Sequence, residues 1–231
     1  MTTQLLCLAF LLTTATPSPT PPPPPERHII ICVDGVGFDT FQKMRARGRF
    51  RAFTEPARMI ATFPSLTDIS LSAILEPAGA RPARGYEDAW FDPATGRVRG
   101  GVLDRFRQDR FVRGTFRELF DYHPSALKSG LAFGAPPLST YAEAASDVWM
   151  VARKARASDH ATTLEYVAGT DTLAHVGGER MLESVLARLD DAVVDLLRRD
   201  GVRTRVTIFS DHGNEFRPLG RVSLKPALRR A

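Results

Sequence analysis

Cysteine is nearly absent: the 231 residues hold two, Cys7 and Cys32. Cys7 lies in an apolar N-terminal run, which leaves Cys32 alone in the rest of the chain. A disulfide scaffold is therefore excluded, and a hydrophobic core must supply the stability. Long apolar runs are missing too. Leu5 to Leu12 is far short of the roughly 20 residues that a spanning helix needs. Basic blocks are also absent. The net charge of +5 comes from arginines scattered along the chain, so no arm or stripe suits nucleic acid. At most this charge favours anionic small molecules. No internal repeat is visible, which sets solenoids aside. "DGVGFD" lacks the third glycine of a dinucleotide-binding turn, which argues against a nicotinamide enzyme.

Against these absences stands an ordinary globular composition, 43% hydrophobic and 25% charged, enough for one sizeable core. The first residues read as a secretory signal, 1–15, with small residues Thr13 and Ala15 before the cleavage point, although no Lys or Arg precedes the apolar stretch. The expected location is therefore exported, periplasmic or secreted. Residues 16–26 form a proline-rich tether that cannot join a packed core. The folded domain is expected over 27–231, with an insertion at about 80–110.

"HIIICVDGVGF" carries an uninterrupted apolar run, Ile29 to Val33, which predicts a strand buried on both faces of a parallel sheet. "TTLEYVAGTD" and "TRVTIFSDHG" repeat the plan. Between them lie helical patterns. Thr140 and Glu143 have capping-box spacing ahead of Ala145, Val148, Trp149, Ala152 and Ala155. Leu182, Val185, Leu186, Leu189, Val193, Leu196 and Leu197 recur at helical spacing up to Gly201. The predicted fold is α/β, a doubly wound, mostly parallel sheet with helices on both faces, whose ligands bind beyond the carboxyl ends of the strands. "GYEDAWFDPATGRVRGGVL" has turn signals between short β-prone pieces and predicts a hairpin or cap insertion.

Each predicted strand ends in an acid. Asp34 follows the first, Asp171 with His175 the second, and Asp211 with His212 the third. Asp and His are the residue types a divalent metal takes from such loops, and a D-x-x-x-H spacing on a helical turn puts both groups on one face. An ordinary turn explains Asp34 equally well, and a surface pair explains Asp171 and His175. A fourth junction, "TFPSLTDISL", sets Thr62 before a predicted helix start at Pro64, where unpaired N–H groups favour a phosphate oxygen. The Thr62 hydroxyl there is either a nucleophile or a simple cap.

Taken in order, "VDGVGFD", "TFPSLT", "GTDTLAH" and "SDHG" resemble the motifs of the alkaline phosphatase superfamily, most of all its nucleotide pyrophosphatase/phosphodiesterase branch, across residues 28 to 213. The resemblance implies a two-metal hydrolase of phosphate esters or nucleotides, with zinc as the expected cofactor. Asp34, Thr62, Asp211 and His212 would hold one ion, and Asp171 and His175 the other. Thr62 would be the nucleophile that becomes phosphorylated, and Ser65 would touch the substrate phosphate.

Three departures are visible. Ser65 replaces the family's usual Asn, Ala174 replaces a Gly, and no histidine follows His212 to complete the second ion's ligands. His28, His123 and His160 match no motif. "GRVSLKPALRRA" opens like an amphipathic helix and stops uncapped, so the expected domain is incomplete at its C-terminus. Alternatives to the phosphodiesterase are a non-catalytic remnant that binds metal or phosphate, and a phosphomonoesterase or phosphoglycerate-mutase-like enzyme. A sulfatase lacks its Cys/Ser-x-Pro-x-Arg setting.

Overall fold

β1 (Arg27–Val33) is the middle strand of a three-stranded parallel sheet, because its apolar run can be covered on both faces at once. The architecture was obtained as a computed structural model that describes residues 26–83, 89–100, 114–125, 128, 132, 134–200 and 203–216. The expected signal segment, the tether up to residue 25 and the expected C-terminal helix all lie outside these residues. β1 is followed by α1 (Phe38–Ala46) and α2 (Thr67–Ile74). An antiparallel hairpin, β2 (Ala89–Asp92) with β3 (Arg97–Gly100), falls within the expected insertion. Then come α3 (Leu138–Ala157), β4 (Thr162–Val167), α4 (Gly169–Asp200) and β5 (Thr204–Phe209). The sheet order is β4-β1-β5. Among the described residues, no helix is long and apolar enough to cross a membrane.

Side-chain alternation divides the core. Ile29, Ile31 and Val33 of β1 pack with Val148 and Val151 of α3, with Leu182, Leu186, Leu189 and Val193 of α4, and with Met44 of α1. Cys32 faces the other way, into a cluster with Leu71 and Leu75 of the α2 region, Phe116, Phe120 and Tyr166. In that cluster Tyr166 stacks near Phe120, ring centroids 5.0 Å apart, and meets Phe116 edge-on.

Three helices depart from expectation. α3 begins at Leu138, and Thr140 donates to the carbonyl of Pro137 (2.8 Å), so the capping box is not formed. Trp149 is 58% exposed, because the buried stripe of α3 runs through Ala144, Val148, Val151, Ala152 and Ala155. α2 begins at Thr67 rather than at Pro64. α4 starts earlier than the leucine pattern suggests, at Gly169, and breaks at Gly178 (φ 70°, ψ −177°), where no side chain favours that backbone.

The register decides what meets at the carboxyl edge. Val33 lies beside Val167, and Cys32 beside Phe209. The chain therefore leaves β1 at Asp34, enters α4 two residues before Asp171 and leaves β5 just before Ser210 and Asp211. All three acids arrive at one edge of one sheet.

Candidate metal centre

Backbone constraints fix the three loops before any side chain is considered. Asp34 N–H donates to Val167 O (3.1 Å), and the Thr170 hydroxyl donates to Asp34 O (2.7 Å), tying the β1 exit to the start of α4. Val36 N–H donates to Ser210 Oγ (3.0 Å), whose own hydroxyl donates to His212 O (2.6 Å). Gly35 has φ +67°, and a Cβ there would lie 2.3 Å from Asp171 Oδ1. Only glycine lets the β1 turn and the α4 carboxylate approach so closely.

On this frame, ligand atoms of Asp34, Asp171 and His212 all lie within 4.8 Å of one another, a spacing able to hold a metal ion. His212 Nε2 is 3.5 Å from Asp34 Oδ1 and 3.6 Å from Asp211 Oδ2. Asp211 is 2% exposed. Its Oδ1 accepts from Gly35 N–H (3.3 Å), while Oδ2 has no hydrogen-bond partner among the described residues. A buried carboxylate oxygen left unpaired is costly unless something cationic meets it. The donor set fits a divalent cation.

Electrostatics agree. Burial raises the Asp34 carboxyl well above the usual carboxylate range, and the Asp211 and Asp171 charges add to this, opposed by hydrogen bonds from Tyr166 and Thr67. Burial also raises Asp211, against the pull of His212 and of backbone N–H groups. Without a cation the site concentrates negative charge that water does not screen. A bound divalent ion would remove that penalty.

The expected residues fall into place unevenly. Asp34, Asp211 and His212 come together, and Asp171 joins them from α4. His175 Nε2 is 3.4 Å from Asp171 Oδ1, one turn along the helix as its spacing required, but 63% of its side chain is exposed. Thr62 lies in the wall of a cleft of about 1210 Å³ that Ser70, Asp211, His212 and Asn214 also line. Its hydroxyl is 2.8 Å from Ser70 Oγ and donates to Pro64 O (3.3 Å). Ser65 is exposed on the same segment.

Three participants were not anticipated. Thr67, the first residue of α2, puts its hydroxyl 3.2 Å from both Asp34 Oδ1 and His212 Nε2. Tyr166, buried near the end of β4, donates a short hydrogen bond to Asp34 Oδ2. Asn214 donates to Asp171 Oδ1 (2.8 Å) and to Gly35 O (3.0 Å) from one amide nitrogen. Thr67 and Asn214 sit in or beside quoted motifs, "TFPSLT" and "SDHG", where a polar side chain next to ligands was the available signal. Tyr166 offered none, since an aromatic residue near a strand end is ordinary core.

No family model matches the chain, and neither a curated protein nor a solved structure matches it.

Proposed function

We propose that this protein is a metal-dependent hydrolase of phosphate esters, of the phosphodiesterase or nucleotide pyrophosphatase type. In this reading it is an exported, doubly wound α/β enzyme of the alkaline phosphatase superfamily, with the β2-β3 hairpin as part of a cap and zinc at a two-ion site. The observation that supports it is the convergence of Asp34, Asp171, Asp211 and His212 at one sheet edge, with Asp211 and His212 in the wall of a cleft that Thr62 also lines.

Asp34, Asp211 and His212 would hold one ion, and Asp171 with His175 the other. A divalent cation there supplies charge neutralisation for a phosphoryl group and lowers the pKa of an adjacent hydroxyl. The chain's own groups do the rest. Thr62 presents a hydroxyl to substrate, with Ser70 Oγ at 2.8 Å to orient it. Tyr166 holds Asp34 Oδ2, which leaves Oδ1 directed toward His212. Ser65 is placed to meet a phosphate oxygen.

Purified protein with zinc, assayed on bis-p-nitrophenyl phosphate, tests this. The wild type is expected to release p-nitrophenolate, and Thr62→Ala to lose roughly a thousandfold or more, as loss of a nucleophile does. Equal rates in both remove Thr62 from the mechanism. A second reading, a remnant that binds metal without turnover, draws on the exposure of His175 and the two-donor second set. Zinc uptake with no activity toward any phosphate ester selects it.

A further inference from the structure

The sheet has a second edge, opposite the acids, and the topology decides what collects there. β1, β4 and β5 are parallel, so all three start at this amino edge, and α3 and α4, which lead into β4 and β5, both end there. Arg27 ties the ends together. Its guanidinium donates to Ala155 O in the last turn of α3 and lies 3.2 Å from Asp200 Oδ2 at the end of α4. Asp200 in turn accepts from the Thr204 hydroxyl at the start of β5 (3.2 Å). Arginines scattered along the sequence are thereby gathered in space.

Some of the cations at this edge are matched by acids: Arg27 by Asp200, Arg203 by Glu26 and Arg156 by Asp195. Others are not. Lys154 in the last turn of α3, Arg198 and Arg199 in the last turn of α4, and Arg205 on β5 are all exposed, and none makes an ion pair among the described residues. Against them stands the exposed Asp159, in the connection from α3 to β4. Helix-end carbonyls account for a cation at the close of each helix, but α4 carries two and Arg205 belongs to no helix. The excess charge is felt by its neighbour: burial and then Arg205, beside it in the strand register, lower the His28 imidazole below its usual range.

We propose that the amino edge is a docking face for an anionic membrane surface, with Lys154, Arg198, Arg199 and Arg205 set against lipid phosphates. Clusters of four to eight Lys and Arg are the size that recognises acidic lipids. These cations stand on three separate elements instead of one loop, which suits a sheet of many headgroups better than a single bound phosphate. The proline-rich stretch, and ahead of it the apolar run Leu5 to Leu12, also join the domain at this edge, at Glu26. The part of the chain with most affinity for lipid therefore enters on the same side. So docked, the carboxyl edge with Asp34, Asp171 and Asp211 faces away from the bilayer. The proposal does not depend on the hydrolytic reading of that edge.

Vesicle co-sedimentation of the full chain tests it, with phosphatidylcholine vesicles beside vesicles that also hold phosphatidylglycerol. The wild type is expected to bind the anionic vesicles roughly tenfold or more above the neutral ones, and to be released as added salt screens the surface. Each Lys or Arg at an anionic surface is worth roughly fivefold in affinity, so Arg198→Gln with Arg199→Gln is expected to lose roughly 25-fold, and adding Arg205→Gln to lose more. Arg58→Gln with Arg180→Gln removes the same charge from the carboxyl half of the molecule and is expected to leave binding nearly unchanged. Circular dichroism confirms that each variant is folded, and the lipid preference and salt release of the wild type test the proposal without any variant. Equal binding to neutral and anionic vesicles, binding to neither, or equal losses in the two double variants overturns it. Capture of the wild type by RNA or heparin, with none by anionic vesicles, overturns it as well.

Discussion

At the scale of single residues, the candidate centre rests on atoms that hold its acids still as much as on the acids themselves. Asn214 is the clearest case: one amide nitrogen spans the β1 turn and the α4 carboxylate, reaching Gly35 O and Asp171 Oδ1. Removing it leaves Asp171 to rotate. Asn214→Ala is expected to lower zinc affinity by about 10- to 100-fold, the usual cost of an outer-shell partner, with an unchanged far-ultraviolet spectrum. Calorimetric titration with zinc reads this directly, and an unaltered dissociation constant sinks the role given to Asn214. The acids and His212 were legible in the sequence because each stands at the end of an apolar run, and strand ends are where a parallel sheet places ligands. Thr67 was not. Two threonines five residues apart in "TFPSLTDISL" carry the same chemistry, and only the start of α2 at Thr67, rather than at Pro64, decides which one meets Asp34.

At the scale of elements, periodicity predicted the three parallel strands and the leucine stripe of α4, since each is a property of local spacing. It misjudged Trp149 because a helix of small residues leaves the stripe underdetermined. Ala144 and Ala155 let α3 lie close to its neighbours while the large ring turns outward beside Arg153. A conflict with pattern is also instructive in β4, where Glu165 occupies an inward position beside Ile31. It is fully buried, and neither carboxylate oxygen has a hydrogen-bond partner among the described residues. Burial, reinforced by the charge of Asp121 and opposed by Lys154 and Arg27, pushes it up from 4.5 to about 7. The folded state thus holds a proton that the unfolded chain gives up. The resulting penalty is absent below about pH 4.5, grows as pH rises through the interval, and is complete above about pH 7. Denaturant unfolding of the wild type and Glu165→Gln at pH 5 and pH 8 checks it. The variant is expected to gain on the wild type as pH rises, and parallel curves at the two pH values contradict the assignment.

For the whole molecule, several costs meet at one sheet edge. Asp34 and Asp211 are buried with raised carboxyl pKa values, Gly35 gives up the Cβ that would strike Asp171, and Asp211 leaves an oxygen unpaired. Among the described residues, two apolar clusters on opposite sides of β1 form the core. Such crowding of buried acids at a sheet edge is expected where a ligand compensates for it. The sheet and its acids could be foreseen from the sequence, whereas the crowding could not, because it depends on register across three strands distant in the chain. The central claim is that a divalent cation belongs at this edge, and zinc titration of the wild type beside Asp34→Asn tests it most directly. The wild type is expected to bind zinc saturably and, at a hundredfold excess over the dissociation constant, to gain about 2.7 kcal/mol against unfolding, while Asp34→Asn loses most of both effects. No zinc uptake by the folded wild type, or equal uptake by Asp34→Asn, contradicts the account.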